Sequence, residues 1–186
     1  NGSKMRVWHL LQALAQCNEV TLVSFAFETA RPEPGAAELS FCQTVYALKR
    51  NPFQRSALAD ATRYLSRSPV VTRPITEMQR LVQRVASGVD FDVVVASTES
   101  VATYALDVPG RPLKVLEEHN SFSRMMEDRY RAAAHPVRRL SNWLSWQKTR
   151  RYEARLFPRF DVVVMVSEQD RRACERLPGD TGPVAI

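Results

Sequence analysis

Glycine is scarce in this chain, with six residues in 186. None of them forms a G-x-G-x-x-G or Walker pattern, so neither phosphate-cradling fingerprint is present. Cysteine is scarcer still. Cys17, Cys42 and Cys174 are an odd, scattered set with no C-x-x-C, which argues against a disulfide framework and for a reducing compartment. The three histidines, His9, His119 and His135, stand far apart, and no His/Cys/Asp cluster has metal-ligand spacing. No segment approaches the ~18 consecutive apolar residues of a spanning helix. Disorder and fibrous repeats are excluded by the ordinary balance of 45% hydrophobic and 25% charged residues. The length suits a single domain with a full core.

What is present is basic charge, unevenly spread. The chain carries 26 Lys and Arg against 20 Asp and Glu, a net charge of +6. Residues 121–160 hold ten basic and three acidic side chains, and residues 49–84 hold eight and two. The remainder is acidic, so two basic segments sit on an acidic scaffold.

Hydrophobic periodicity gives the class. Val7, Leu10, Leu11 and Leu14 recur at helical spacing, with Ser3 placed to cap them. Residues 20–25 and 41–48 read as strands and residues 31–35 as a loop. Residues 53–65 read as an amphipathic helix, and a further helix is expected over 74–87 with Pro74 in its first turn. The apolar run 91–96 reads as a strand covered on both faces. A helix over 98–106, a strand over 113–118, helices over 123–134 and 136–156, a strand over 160–166, a helix over 168–177 and a short strand at 184–186 complete the pattern. Strand and helix alternate throughout, which predicts a parallel sheet with helices on both faces. Residues 91–97 and 160–167 echo each other, each opening Phe-Asp-Val-Val-Val and ending in Ser. They are equivalent βα units. The opening helix lacks a preceding strand and the last strand lacks a covering helix, so the domain is expected to be cut at both ends.

Open α/β sheets bind ligands beyond the carboxyl ends of their strands. That rule sorts the candidates. Asp90 and Asp92 spell D-x-D but precede their strand, so turn and strand-start roles are favoured over metal binding. Glu118, His119 and Asn120 sit at a strand tip, where His119 would take a proton near neutral pH or bond a sugar hydroxyl, or simply tie strand to loop. Ser97 and Ser167 end strands and are placed to cap the next helix. Ser167 and Glu168 also open a helix towards the crevice. Gly2 and Ser3 stand at a helix start, a suitable place for a phosphate. Phe53, Arg55, Arg63 and Arg67 combine apolar and basic residues as a surface for acidic lipid, worth about 1 kcal/mol per basic side chain near the membrane. The basic, aromatic stretch 142–155 fits an anionic bilayer, nucleic acid or a solvated core helix.

The run from Gly2 to Arg6 into an amphipathic helix, the strand after Asn18-Glu19, and Asp92 with its valines resemble GT-B glycosyltransferases of the family 4 type. So do the strand ending in Glu118-His119-Asn120, Tyr152-Glu153, and residues 160–170. Each motif is loose, but they occur in the family's order across most of the chain. The resemblance implies the N-terminal, acceptor-side Rossmann-like domain of a two-domain enzyme, occupying all of residues 1–186. Such an enzyme moves a sugar from a nucleotide-diphosphate donor to an acceptor hydroxyl, usually with retention and without a metal or other cofactor. It implies His119 in the cleft near both sugars, Gly2 and Ser3 near the donor phosphate, and Glu118, Asn120, Ser167 and Glu168 beside substrate. A C-terminal domain of the same chain would grip most of the donor, leaving this piece inactive alone. Lipid-linked or glycan acceptors, and a cytoplasmic site at the inner membrane face, follow from the same likeness. The rival readings are a basic module for nucleic acid or anionic membrane, and a dinucleotide-binding dehydrogenase domain. No nucleic-acid reader motif is present, so nucleic acid is not the expected partner.

Overall fold

The computed structural model describes residues 2–26, 39–53, 69 and 73–186. The expected loop at 31–35, most of the helix expected over 53–65, and Arg55, Arg63 and Arg67 lie outside the described residues. The chain divides into two compact units, Asn1–Gln54 and Arg55–Ile186.

In the first unit, α1 (Gly2–Ala15) precedes β1 (Thr21–Ala26) and β2 (Thr44–Lys49). Val7, Leu10, Leu11 and Leu14 are half-buried, as their spacing requires. Asn18 closes the helix by donating its Nδ2–H to the Leu14 carbonyl at 2.8 Å, and Trp8 meets Phe41 edge-to-face at 5.0 Å. β1 and β2 pair in parallel, with Thr21 opposite Thr44.

The second unit runs α2 (Thr76–Ala86), β3 (Val93–Ser97), α3 (Ala102–Leu106), β4 (Leu113–Glu118), α4 (Phe122–Arg131), α5 (Pro136–Leu156), a 3-10 turn (Phe157–Arg159), β5 (Val162–Met165), α6 (Glu168–Glu175) and β6 (Val184–Ala185). Its sheet has the order β3-β4-β5-β6, parallel throughout. Parallel neighbours need crossovers, and the helices supply them. Pro74 lies before α2 rather than in its first turn. Ile75 stays extended there, and its N–H goes to the Tyr104 hydroxyl at 2.8 Å.

The core lies on one face of this sheet, where Ala96, Leu116, Val163 and Met165 meet Ala102, Leu156, Phe157 and Cys174. The other face is apolar but open near the strand starts, with Val93 and Val95 exposed by 48% and 40%. The run 91–96 is therefore not covered on both faces by described residues. Towards the strand ends the cover is complete. Leu116, Glu117 and Glu118 are consecutive, alternate between faces, and are all buried. The two Phe-Asp units are tied differently: Asp161 Oδ2 accepts from the Lys114 N–H at 2.7 Å, whereas the Asp92 backbone carbonyl accepts from the Leu113 N–H at 2.8 Å. Both bonds lie at the amino rim, which places Asp90 and Asp92 away from the carboxyl edge.

Candidate functional site

At the carboxyl edge of β3 and β4, three side chains close a hydrogen-bonded ring. Ser97 and Glu117 are register partners, so both point to one face. His119 lies two residues beyond Glu117 and shares that face by the same alternation. Ser97 Oγ donates to Glu117 Oε2 at 2.8 Å. His119 Nε2 lies 3.0 Å from Ser97 Oγ and 3.1 Å from Glu117 Oε2. The His119 side chain is 13% exposed and that of Glu117 4%, so the ring presents an edge to the surface while its carboxylate partner lies beneath.

The chain reverses sharply after Ser97. Thr98 has φ +81°, a left-handed conformation that costs a β-branched residue on the order of 1–3 kcal/mol. Its N–H is held by the Glu117 carbonyl at 2.8 Å and its hydroxyl by Ser100 Oγ at 2.7 Å. This kink explains why α3 begins at Ala102 rather than near residue 98. Ser97 therefore caps no helix, and its hydroxyl is committed to the ring instead.

The kink also turns Glu99 inward. On the opposite face of β4 from the ring, Glu99, Glu118 and Glu153 are buried to 1%, 3% and 1% exposure. Both carboxyl oxygens of Glu99, Oε1 of Glu118 and Oε2 of Glu153 have no hydrogen-bond partner. Burial, then the Glu153 charge, raises the Glu99 pKa well above its ordinary value. Burial and the charges of Glu99 and Glu153 raise that of Glu118, against a hydrogen bond from the Glu99 N–H. Glu153 is pushed up by burial to about 7, although Ser123 and Phe122 donate to it. Cys174, beside them, is raised to about 12 by burial and then by Glu153. Three carboxyls so placed are held neutral or share protons rather than carrying three charges.

The adjoining start of α4 is well provided with acceptors. The Ser121 N–H donates to Asp170 Oδ1 at 3.1 Å, Ser123 N–H to Glu153 Oε1 at 2.8 Å, and Arg124 N–H to Ser121 Oγ at 3.2 Å. These satisfy amides that a helix N-terminus leaves orphaned. Asp170 also accepts from Arg124 Nη1 at 3.1 Å and from Ser167 Oγ at 2.6 Å. Ser167 caps α6 as expected, accepting from the Asp170 N–H at 3.2 Å.

Of the residues singled out from sequence, His119 is at the carboxyl edge and Asn120 is exposed beside it. Glu118 is there too but turned inward. Two adjacent strand residues cannot share a face, so Glu118 supports the site from below rather than lining its open side. Glu168 takes hydrogen bonds from Arg171 and Arg172, which lower its carboxyl to about 2. Gly2 and Ser3 belong to the first unit. α1 opens at Gly2, so Ser3 falls inside the first turn, and its side chain lies outside the described residues. A Cβ built on Gly2 meets nothing within 4 Å. Phe53 is exposed by 53%, with its N–H on Asn51 Oδ1 at 2.9 Å. Among the described residues no group of three or more His, Cys, Asp or Glu is arranged to hold a metal ion. Glu117, Glu99 and Asp170 were not singled out from sequence. For Glu117 a signal existed, since position i−2 of a strand-tip histidine shares its face.

A parallel sheet whose strands are joined by helical crossovers has the layout of a Rossmann-like domain, and the histidine cluster lies at its carboxyl edge. The profile of Glycosyltransferase Family 4 matches residues 1–186, and the chain belongs to that family. Comparison with curated proteins and with solved structures gives no match.

Proposed function

We propose that this chain is the N-terminal, acceptor-side domain of a GT-B glycosyltransferase that moves a sugar from a nucleotide-diphosphate donor to an acceptor hydroxyl. The observation that carries this reading is the Ser97–Glu117–His119 ring, which occupies the carboxyl edge where open α/β sheets bind ligands. His119 orients a sugar hydroxyl. Asn120, Ser167 and Glu168 face substrate around it, with Glu118 acting from beneath. No cofactor is required in this reading, in which a further domain of the same chain completes the enzyme. The acceptor is a glycan or a lipid-linked species, met at the cytoplasmic face of a membrane.

The test is nucleoside diphosphate release from UDP-glucose and GDP-mannose, used as donor probes. Residues 1–186 alone are expected to give none, whereas the full-length enzyme turns over. His119→Ala in that enzyme is expected to lower kcat on the order of 100-fold. Appreciable turnover by residues 1–186 alone overturns the two-domain account, and an unchanged kcat in His119→Ala removes the histidine from it.

A second reading, contact with an anionic membrane surface, has its own observation. No described helix is long and apolar enough to cross a membrane. Yet Val137, Leu140 and Leu144 form an exposed stripe on α5, 70%, 59% and 43% accessible, with Trp143 beside it. At the α4–α5 turn a cavity of about 430 Å³ is lined by Arg129, His135, Arg138 and Asn142 among others. Apolar side chains ringed by arginine suit insertion among acidic headgroups. In this reading α5 makes the contact, in addition to the Phe53, Arg55, Arg63 and Arg67 surface expected from sequence.

A further inference from the structure

The ring at the carboxyl edge determines more than the position of His119. Ser97 Oγ carries one proton and donates it to Glu117 Oε2 at 2.8 Å. A carboxylate has no proton to give. Nε2 of His119 lies against both groups, 3.0 Å from the hydroxyl oxygen and 3.1 Å from the same carboxylate oxygen. An unprotonated Nε2 would set a lone pair against the carboxylate at that distance, with no donor available from Glu117. Nε2 must therefore carry a hydrogen, shared between Ser97 Oγ and Glu117 Oε2.

We propose that Glu117 is the positioning residue of His119: it holds the ring by Nε2–H and leaves Nδ1 as the atom offered to substrate. Nδ1 has no partner among the described residues. The assignment holds in both charge states, because the imidazolium keeps Nε2–H and gains its second proton on Nδ1. Neutral His119 thus presents a hydrogen-bond acceptor, suited to the O–H of a sugar hydroxyl, and protonated His119 presents a donor.

The backbone supports this geometry. Ser97 and Glu117 are register partners across β3 and β4, and the Thr98 N–H is tied to the Glu117 carbonyl at 2.8 Å. The Thr98 kink at φ +81° ends β3 at that point, so Ser97 stays beside Glu117 instead of entering a helix. Ser97 shares the bond, but Glu117 sets its direction, because only the carboxylate is unable to act as donor.

The substrate-facing role of Nδ1 rests on the glycosyltransferase reading, whereas the tautomer does not. Long-range 15N–1H correlation spectra of the histidine-labelled chain read the tautomer directly, with His9→Gln and His135→Gln assigning the signals. Neutral His119 is expected to be wholly the Nε2–H form, against the mixed population of the exposed His9. Ser97→Ala should keep that single form, since Glu117 still accepts. Glu117→Ala should lose it and show a mixture like that of His9. An Nδ1–H form, or a His9-like mixture, in the wild-type chain overturns the proposal, and needs no variant to fold. A single form lost in Ser97→Ala but kept in Glu117→Ala also overturns it, by giving the role to the serine. Failure of the donor assay with an intact Nε2–H form would strike the functional reading alone.

Discussion

Glu153 carries the clearest consequence of a single residue's surroundings. Its carboxyl is raised from an ordinary 4.5 to about 7, chiefly by burial. Below about pH 4.5 it is protonated whether the chain is folded or unfolded, and ionisation costs nothing. As pH rises through that value the unfolded chain ionises while the folded one stays neutral, so stability falls until about pH 7 and then levels. A shift of this size corresponds to roughly 3 kcal/mol. Glu99 and Glu118, facing it from the kink and from β4, are shifted in the same direction and steepen the decline. Glu153→Gln keeps an oxygen for the Ser123 N–H and removes the titration. It is expected to raise stability at pH 8 by up to about 3 kcal/mol and to leave it unchanged at pH 4, read by urea unfolding at both. Destabilisation larger at pH 8 than at pH 4 would show instead that the carboxyl serves there as an anion.

Between elements, the junction of α4 and α6 depends on Asp170. Its carboxylate accepts from the Ser121 N–H, Ser167 Oγ and Arg124 Nη1, so one side chain fixes two helix starts. Asp170 is 6% exposed, whereas the Arg124 side chain is 36% exposed, so the charge pair is only partly shielded from water. Asp170→Ala leaves a buried amide and a hydroxyl without an acceptor. It is expected to cost about 2–4 kcal/mol in chemical denaturation, and Asp170→Asn about half as much. The Ser167 cap was legible from sequence because α6 begins directly after it at Glu168, whereas the Thr98 kink separates Ser97 from α3. The Arg124–Asp170 tie was not legible, because nothing local links residues on two helices separated by α5 and β5.

Basic charge and exposed apolar side chains coincide on one hairpin. Residues 121–160, the most basic part of the chain, form the α4–α5 hairpin, and that hairpin also bears Val137, Leu140 and Leu144. Co-sedimentation with phosphatidylglycerol-containing vesicles is expected at low salt, weakening as salt rises. Val137→Asp with Leu140→Asp should abolish the salt-resistant part. Equal pelleting with neutral phosphatidylcholine vesicles removes the anionic-surface reading, and no effect of the aspartates removes the stripe from it. Expected from sequence as one basic segment with scattered aromatics, this surface acquires its shape only from the packing of the hairpin. Tyr130 stacks on Trp146 and Arg139 lies 5.2 Å over the Tyr130 ring, which engages those rings with each other, while Val137, Leu140 and Leu144 stay exposed.

Local order was open to inference from the residues in turn. Alternation of valine-rich runs with helical periods predicts the parallel α/β class, and the end of β4 at Glu118 places His119 at the carboxyl edge. These follow from side-chain period and backbone preference, which act over a few residues. The partners of that histidine do not. Ser97 meets Glu117 because β3 and β4 pair in one register, and a shift of one residue would send Glu117 to the other face. Glu99, Glu118 and Glu153 come together from a kink, a strand and a helix that share no local pattern. Register and burial are set by crossovers between distant segments, so the chemistry of the site, unlike its location, belongs to the tertiary structure.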